Sequence, residues 1–241
     1  MALLAYHSGN TGACFTITRD DGFEQAVPVK IFFEDHQFPD MEVHALDLCS
    51  GTILDVGAAA GRHSLELHRR GSEVWSLDIL PETRQIMSER GLPRPVIGDI
   101  LSWNERPFDT VLMLMNGIGM VGTPQRLDEF LRHAHRLVSP GGQILCDSID
   151  VSITQTPVHV AYRNKNIERG LYPGQQRFTI KYGDVLGAPV DWLHLDFASL
   201  ARHCQVAGWS CQLIHQEPDG HYLAKIWGDA KKHLECSGTP L

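Results

Sequence analysis

The sequence predicts an α/β fold in which a doubly wound, mostly parallel sheet finishes in an antiparallel hairpin. Three observations predict it. From about residue 50 onward, short apolar runs alternate with longer amphipathic ones, the pattern of strands wound with helices. The run Thr110–Met115 is apolar almost throughout, as a central parallel strand covered on both faces requires. The last two strand-like runs, Trp209–Gln216 and His221–Ile226, are joined by Glu217-Pro218-Asp219-Gly220, a turn signal that makes them antiparallel neighbours.

Taken in order, Thr52–Val56 reads as the first strand, and Gly61–Arg70 has helical spacing. Glu73–Leu77 is a second strand. Pro81–Arg90 is a helix with proline in its first turn and Gly91 beyond its end, where a left-handed residue is wanted. Val96-Ile97 and Thr110–Met115 are the third and fourth strands. Thr123-Pro124 opens a helix reaching about Val138, with Leu127, Phe130, Leu131, Ala134 and Leu137 on one stripe. Ser139-Pro140-Gly141-Gly142 is a turn into the fifth strand, Gln143–Cys146. Beyond it, residues 155–172 are polar and of uncertain form. Arg177–Tyr182 alternates as a strand, and Phe197–Ala207 is a helix stopped by Gly208. Residues 1–45 are expected to act as a cover, with a hairpin of Phe15–Arg19 and Val27–Phe33 about the acidic turn Asp20-Asp21-Gly22. The main domain then spans 46–230, with 151–174 as a lid-like insertion and 231–241 as a tail.

Composition narrows the function. The 241 residues carry a formal net charge of -8 with no basic cluster, so a long nucleic acid is a poor partner. No apolar run nears the ~20 residues of a membrane span, and Met1–Ala5 lacks the basic start and length of a signal peptide. A cytoplasmic protein is expected, without membrane contact. Six dispersed cysteines, without a C-x-x-C pair, read as small buried hydrophobes. The 13 histidines show no metal-ligand spacing, so no metal is expected.

The stretch richest in chemistry is Ile53-Leu54-Asp55-Val56-Gly57-Ala58-Ala59-Ala60-Gly61-Arg62-His63, placed where a strand passes into a helix. A dinucleotide loop, G-x-G-x-x-G, would need glycine where Ala59 and Arg62 stand. The pattern acid-x-G-x-G-x-G fits Asp55, Gly57 and Gly61, with Ala59 in the middle place. Small residues there let a ligand lie directly on the backbone. Val74–Asp78 ends the second strand in a carboxylate able to accept vicinal ribose hydroxyls, or to cap the following helix. A third acid follows the third strand in Gly98-Asp99-Ile100.

These three ordered acids, with Met115-Asn116-Gly117-Ile118-Gly119 and the run Leu131–Leu145 through Pro140-Gly141-Gly142, resemble the class I S-adenosylmethionine-dependent methyltransferases over roughly residues 50–150. The resemblance implies a Rossmann-like, seven-stranded sheet and S-adenosylmethionine as cofactor. It implies a cofactor site of Asp55, Gly57, Ala58, Ala59, Gly61, Arg62, His63, Asp78, Ile79, Asp99, Ile100, Met115 and Asn116. Asp99 would face the adenine amino group and the next backbone N–H would serve the same ring. Trp103 is placed either against the purine or in packing. The implied reaction is methyl transfer to an oxygen or nitrogen of a small molecule, as in small-molecule biosynthesis. An exocyclic base amine is disfavoured, because Met115–Ile118 lacks the Asn/Asp-Pro-Pro-Tyr signature. Asn116, Asp150 and His194 are the catalytic candidates, with Ser148 beside them, although His194 is equally readable as structural and Asp150 as a cap. Two alternatives stay open: the same cofactor used without methyl transfer, for cyclisation or elimination, and a noncatalytic partner subunit. Whether the chain forms a homodimer is also open.

Overall fold

A computed structural model describes residues 1–228; the expected tail 231–241 and Cys236 lie outside the described residues. The elements run α1 (Ala2–His7), β1 (Cys14–Arg19), β2 (Glu24–Pro28), a 3₁₀ turn Val29–Phe32, α2 (Asp40–Leu48), β3 (Thr52–Val56), α3 (Arg62–Arg69), β4 (Glu73–Asp78), α4 (Pro81–Glu89) and β5 (Pro95–Ile97). There follow β6 (Phe108–Met113), a 3₁₀ turn Gly117–Val121, α5 (Pro124–Leu137), β7 (Val138–Ile149), α6 (Pro157–Glu168), β8 (Gln175–Tyr182), β9 (Val185–Leu186), β10 (Val190–Leu193), α7 (Phe197–Val206), β11 (Trp209–Gln216) and β12 (His221–Gly228).

Seven strands form one sheet in the order β11-β12-β7-β6-β3-β4-β5. The pairs β3–β4, β3–β6, β4–β5 and β6–β7 are parallel, and β12 joins β7 and β11 antiparallel. This is the doubly wound, Rossmann-like sheet expected from the sequence. Its strands feed both faces by strict alternation. Leu54, Val111, Ile144 and Ala224 point into a core with Leu127, Phe130 and Leu131 of α5 and Leu200 of α7. Their neighbours Ile53, Leu112, Leu145 and Leu223 point the other way, against Met41, Ala45 and Leu46 of α2 and Leu67 of α3. All eight strand residues are fully buried.

A second, antiparallel sheet has the order β10-β8-β1-β2, with β9 on β8. It joins chain segments far apart in sequence: Thr18 pairs with Thr179 and Arg19 with Phe178.

Several local expectations need correction. The second strand of the N-terminal hairpin lies at Glu24–Pro28, not 27–33: Pro28 has no N–H to continue the ladder, and the chain turns into a 3₁₀ helix. The polar stretch after the fifth strand contains a twelve-residue helix, α6, with Pro157 in its first turn. The fourth strand stops at Met113, because Met115 and Asn116 adopt left-handed backbone angles. The Pro-Gly-Gly turn lies inside β7 as an irregularity: the register jumps from Phe108↔Val138 to Thr110↔Gln143.

Candidate cofactor and acceptor site

The C-terminal ends of β3, β4, β5 and β6 gather the residues marked out from sequence. After β3 the chain turns through Gly57 (φ +72°), Ala59 (φ +50°) and Gly61 (φ +80°) before entering α3. The N–H groups of Gly57 and Ala58 both donate to Leu77 O, at 2.8 and 3.0 Å. A Cβ on Gly57 would come within 3.0 Å of Met120 Cε, and one on Gly61 would collide with Leu92. Ala59 sustains the left-handed conformation without being glycine, at a cost of roughly 1–2 kcal/mol.

Asp78 binds this loop to the next. Its two carboxylate oxygens accept the Ala59 and Leu80 N–H groups, each at 2.8 Å. Each oxygen keeps a lone pair for a further donor. Burial raises the Asp78 pKa, and the two amide donors oppose the shift. The adjoining Ile79 is 64% exposed, an apolar surface at the rim of the cleft. Asp99 is exposed and accepts the Leu101 N–H at 2.9 Å, leaving its second oxygen free toward solvent. Ile100 and Trp103 are core residues, and the Trp103 ring lies against Gly98, so of the two places open to Trp103 the structure takes packing.

Asp55 is only 2% exposed, and its carboxylate turns away from the cleft. It accepts the Ser64 hydroxyl at 2.6 Å, and Ser64 accepts that of Ser76 at 2.7 Å, so Asp55 holds the first turn of α3. Burial raises its pKa, with His63 and Ser64 opposing. Arg62 and His63 also point inward. His63 Nε2 lies 2.8 Å from Glu42, and Arg62 makes an ion pair with the same carboxylate at 3.1 Å. Arg62 further donates to Ile31 O at 3.1 Å and lies 3.9 Å from Met115 Sδ. Arg69 donates to Asp35 O, and Arg90 to both Phe33 O and Ala60 O. Three arginines thus strap residues 31–37 onto the glycine loop and α3.

Met115 (φ +64°) and Asn116 (φ +59°) are consecutive non-glycine residues in left-handed conformation, a strained arrangement that clusters at functional sites. Asp147 holds the turn by accepting the Gly117 N–H at 3.0 Å. Burial pushes the Asp147 pKa up to about 6, against the backbone donors of Asn116 and Gly117. Neither Asp147 nor Glu42 was singled out from sequence. The legible signal for Asp147 was an acid inside the apolar run of β7.

The three catalytic candidates separate. Asn116 Oδ1 and His194 Nδ1 are buried atoms with no hydrogen-bond partner among the described residues. His194 follows β10, and Trp192 of that strand packs its indole on Gly119 in the turn that begins after Asn116, so the two residues sit on elements in contact. Desolvation, with His221 adding, lowers the His194 pKa to about 4, which leaves the ring neutral at pH 7. Asp150 sits in a turn, the capping place also open to it from sequence: its carboxylate accepts the Ser152 N–H at 2.8 Å, and its own N–H donates to Gly220 O. Ser148 is likewise engaged, accepting the Leu195 N–H at 3.0 Å. Among the described residues one trio of metal-ligand types does converge, Glu217, Asp219 and His221, on the β11–β12 turn. The 3.1 Å ion pair between Asp219 and His221 accounts for that closeness.

A glycine cradle at the head of α3, a carboxylate with spare lone pairs at the end of β4 and an exposed apolar side chain beside it fit an adenosyl cofactor of the aminoacyl type. Comparison with known proteins gives the family. A model described as a methyltransferase domain matches residues 53–142. The crystal structure of an S-adenosylmethionine-dependent methyltransferase from Bacteroides fragilis, in complex with S-adenosyl-L-homocysteine, is 31% identical, superposes with a TM-score of 0.83, and covers 94% of this chain and 92% of that one. A ubiquinone biosynthesis O-methyltransferase of Xylella fastidiosa (strain M23) is 27% identical over 113 residues, 44% of each chain. A tRNA U34 carboxymethyltransferase of Idiomarina loihiensis is 29% identical over 131 residues, 48% of this chain and 38% of that one. The matches thus span less than half the length of these curated relatives. The chain belongs to the S-adenosylmethionine-dependent methyltransferases, a family of enzymes, and its cofactor is S-adenosylmethionine. No helix among the described residues is long and apolar enough to cross a membrane.

Proposed function

We propose that the protein methylates an oxygen or nitrogen atom of a small molecule, with residues 46–230 as the transferase domain, and residues 1–45 and 151–174 enclosing the acceptor. The cofactor would supply a sulfonium-activated methyl group, the nucleophile bonding to the methyl carbon as the carbon–sulfur bond breaks and S-adenosylhomocysteine leaves. Asp78 accepts the ribose hydroxyls as charge-assisted hydrogen bonds. Asp99 and the Ile100 N–H meet the adenine edge, and Ile79 lies along its face. The Met115-Asn116 turn presents the Asn116 amide oxygen to a second O–H or N–H of the acceptor, orienting the nucleophilic atom. His194, neutral at pH 7, receives the proton on Nδ1 as the bond forms. The observation that carries this reading is the pair of unpartnered buried acceptors, Asn116 Oδ1 and His194 Nδ1, on elements packed together. Three other buried atoms among the described residues lack a partner, Arg62 Nε, Trp75 Nε1 and Trp103 Nε1, but all three are N–H donors and cannot accept from the substrate. The acidic balance of the chain, -8, favours a small acceptor over a tRNA.

Calorimetric titration with S-adenosylmethionine, S-adenosylhomocysteine and NAD tests the cofactor assignment; binding of NAD alone would overturn it. Release of S-adenosylhomocysteine across a panel of hydroxyl and amine acceptors tests transfer. A protein that binds the cofactor yet turns it into another product, or consumes none, would replace methyl transfer by the cyclisation, elimination or partner-subunit reading.

A further inference from the structure

The register of the second sheet sorts its side chains cleanly. Residues directly opposite in an antiparallel pair share a face, and neighbours along a strand alternate. Phe15 pairs with Val27, Ile17 with Ile180, Arg19 with Phe178, and Phe178 with Val190, so these side chains share one face, which Trp192 joins two residues on from Val190. The opposite face carries Thr16, Thr18, Thr179, Lys181, Arg177 and Asp191. The first face is mostly apolar, with Gln25 opposite Ile17 and Gln176 opposite Trp192, and Phe15, Ile17, Phe178, Val190 and Trp192 are only half-buried and belong to none of the hydrophobic cores of the described residues. Its one charged side chain, Arg19, is neutralised by the Asp21 carboxylate at 2.7 Å.

Both ends of this face rest on the walls of the cofactor cleft. At one end the Trp192 indole lies on Gly119, just beyond Asn116. At the other, Phe15 stacks with Phe32 at 6.1 Å, beside Ile31, whose carbonyl accepts Arg62, and Arg62 in turn touches Met115. Between those supports Phe178 and Trp192 adjoin, with centroids 6.2 Å apart. Strand β10, at one edge of this face, is therefore packed against the turn that follows Asn116.

We infer that the acceptor is a neutral, apolar ring compound carrying a hydroxyl group, bound against the Phe15–Phe178–Trp192 face of the second sheet. This rests on the methyl-transfer reading above and narrows it. Half-exposed aromatic side chains gain by covering a flat apolar ligand, by area and by ring–ring contact. A face without free charge gives a phosphate, a carboxylate or an ammonium group nothing to pair with. The reacting hydroxyl has one proton to donate, to one of the two unpartnered acceptors Asn116 Oδ1 and His194 Nδ1, and a second hydroxyl on the ring would satisfy the other.

The test uses the full chain saturated with S-adenosylhomocysteine, with 4-butylcatechol, 3,4-dihydroxybenzoate and glucosamine as probes, in titration calorimetry. Butylcatechol is expected to bind at least tenfold tighter than either polar probe. Phe178→Ser and Ile180→Ser should each weaken it about tenfold, with homocysteine-nucleoside binding unchanged; Ile180 is at the exposed end of the face, so its variant folds even if the first does not. Lys181→Ser, on the opposite face, should change nothing. Equal affinity for all three probes overturns the inference, as does a butylcatechol affinity indifferent to both face variants. So does sedimentation showing a dimer that these variants dissociate, since the face would then be covered by a second copy. Loss of S-adenosylhomocysteine binding in the parent protein would instead strike the methyl-transfer reading itself.

Discussion

The seven-stranded sheet and the five-stranded sheet solve opposite problems. In the first, three of the six adjacent pairs (β3–β4, β4–β5 and β6–β7) are consecutive strands joined by one helix, and both faces are sealed by fully buried aliphatic residues. In the second, β1 and β8 meet from opposite ends of the chain, and an apolar face stays partly open. A sealed sheet gives a rigid platform whose strand ends can hold a cofactor in one place. An open apolar face gives a surface that one acceptor can cover and that another sequence can vary. Rigidity sits where every member of the family needs the same ligand, and adaptability where each needs its own.

The sharpest way to break that comparison is at the platform. Gly57→Val places a branched side chain at φ +72° against Met120 and is expected to abolish the thermal stabilisation that S-adenosylmethionine confers. A Gly57→Val protein still stabilised by cofactor would mean the loop does not cradle it. Next in size is Asp78→Ala, which should weaken cofactor affinity in calorimetry by roughly 1.5–3 kcal/mol. Part of that loss comes from freeing the Ala59 and Leu80 N–H groups.

Amide hydrogen exchange compares the sheets directly. β8, and β10 up to Trp192, should exchange through openings at least ~2 kcal/mol cheaper than those of β3 and β6, because their apolar side chains, Leu193 excepted, lie outside the closed cores. Equal protection would make the second sheet as much a brace as the first.

A pH experiment follows from Asp147. Its pKa rises on folding to about 6, so the folded state holds a proton that the unfolded chain releases near its ordinary 3.8. The contribution of this group to stability is therefore largest below the unfolded value and falls as pH rises from about 4 to 6. Asp147→Asn should flatten that part of the stability–pH curve relative to the parent, as read by denaturant midpoints. His194 has the opposite sign: its pKa falls to about 4, so it contributes a gain as pH rises from that value toward 6.5. The smallest effect is at Ala59. Ala59→Gly removes a left-handed alanine and should raise stability by about 1 kcal/mol, leaving cofactor affinity near that of the parent.

These two regions were also unequally legible in sequence. β3, β4, α5 and the closing hairpin announce themselves because periodicity, proline and glycine act within a dozen residues. The pairing of Thr18 with Thr179 leaves no such local trace, and α6, with a mixed polar face, carries little helical periodicity. The same holds within the site. Asp78 and the glycine loop were readable from motif and spacing. The inward roles of Asp55, Arg62 and His63 depend on Glu42, Ser64 and Ser76, which no motif links. Asp150 was drawn toward catalysis by its place after the fifth strand, and only its bond to Ser152 shows a turn.

The long separation between β1 and β8 bears on how the chain is made. As the polypeptide leaves the ribosome, the β1–β2 hairpin emerges first and finds no partner for the outer edge of β1 until β8 has been synthesised. Throughout that interval an apolar, unpaired strand edge is presented to the cell, the feature most prone to pairing with the wrong chain. The parallel strands β3 to β7 can pair meanwhile, although β7 in turn waits for β12 on its far side, so slowed elongation between β2 and β8, or between β7 and β12, should cost soluble yield. Late closure of two strand pairs, β1 with β8 and β7 with β12, is thus the stage of synthesis at which edges stay open longest.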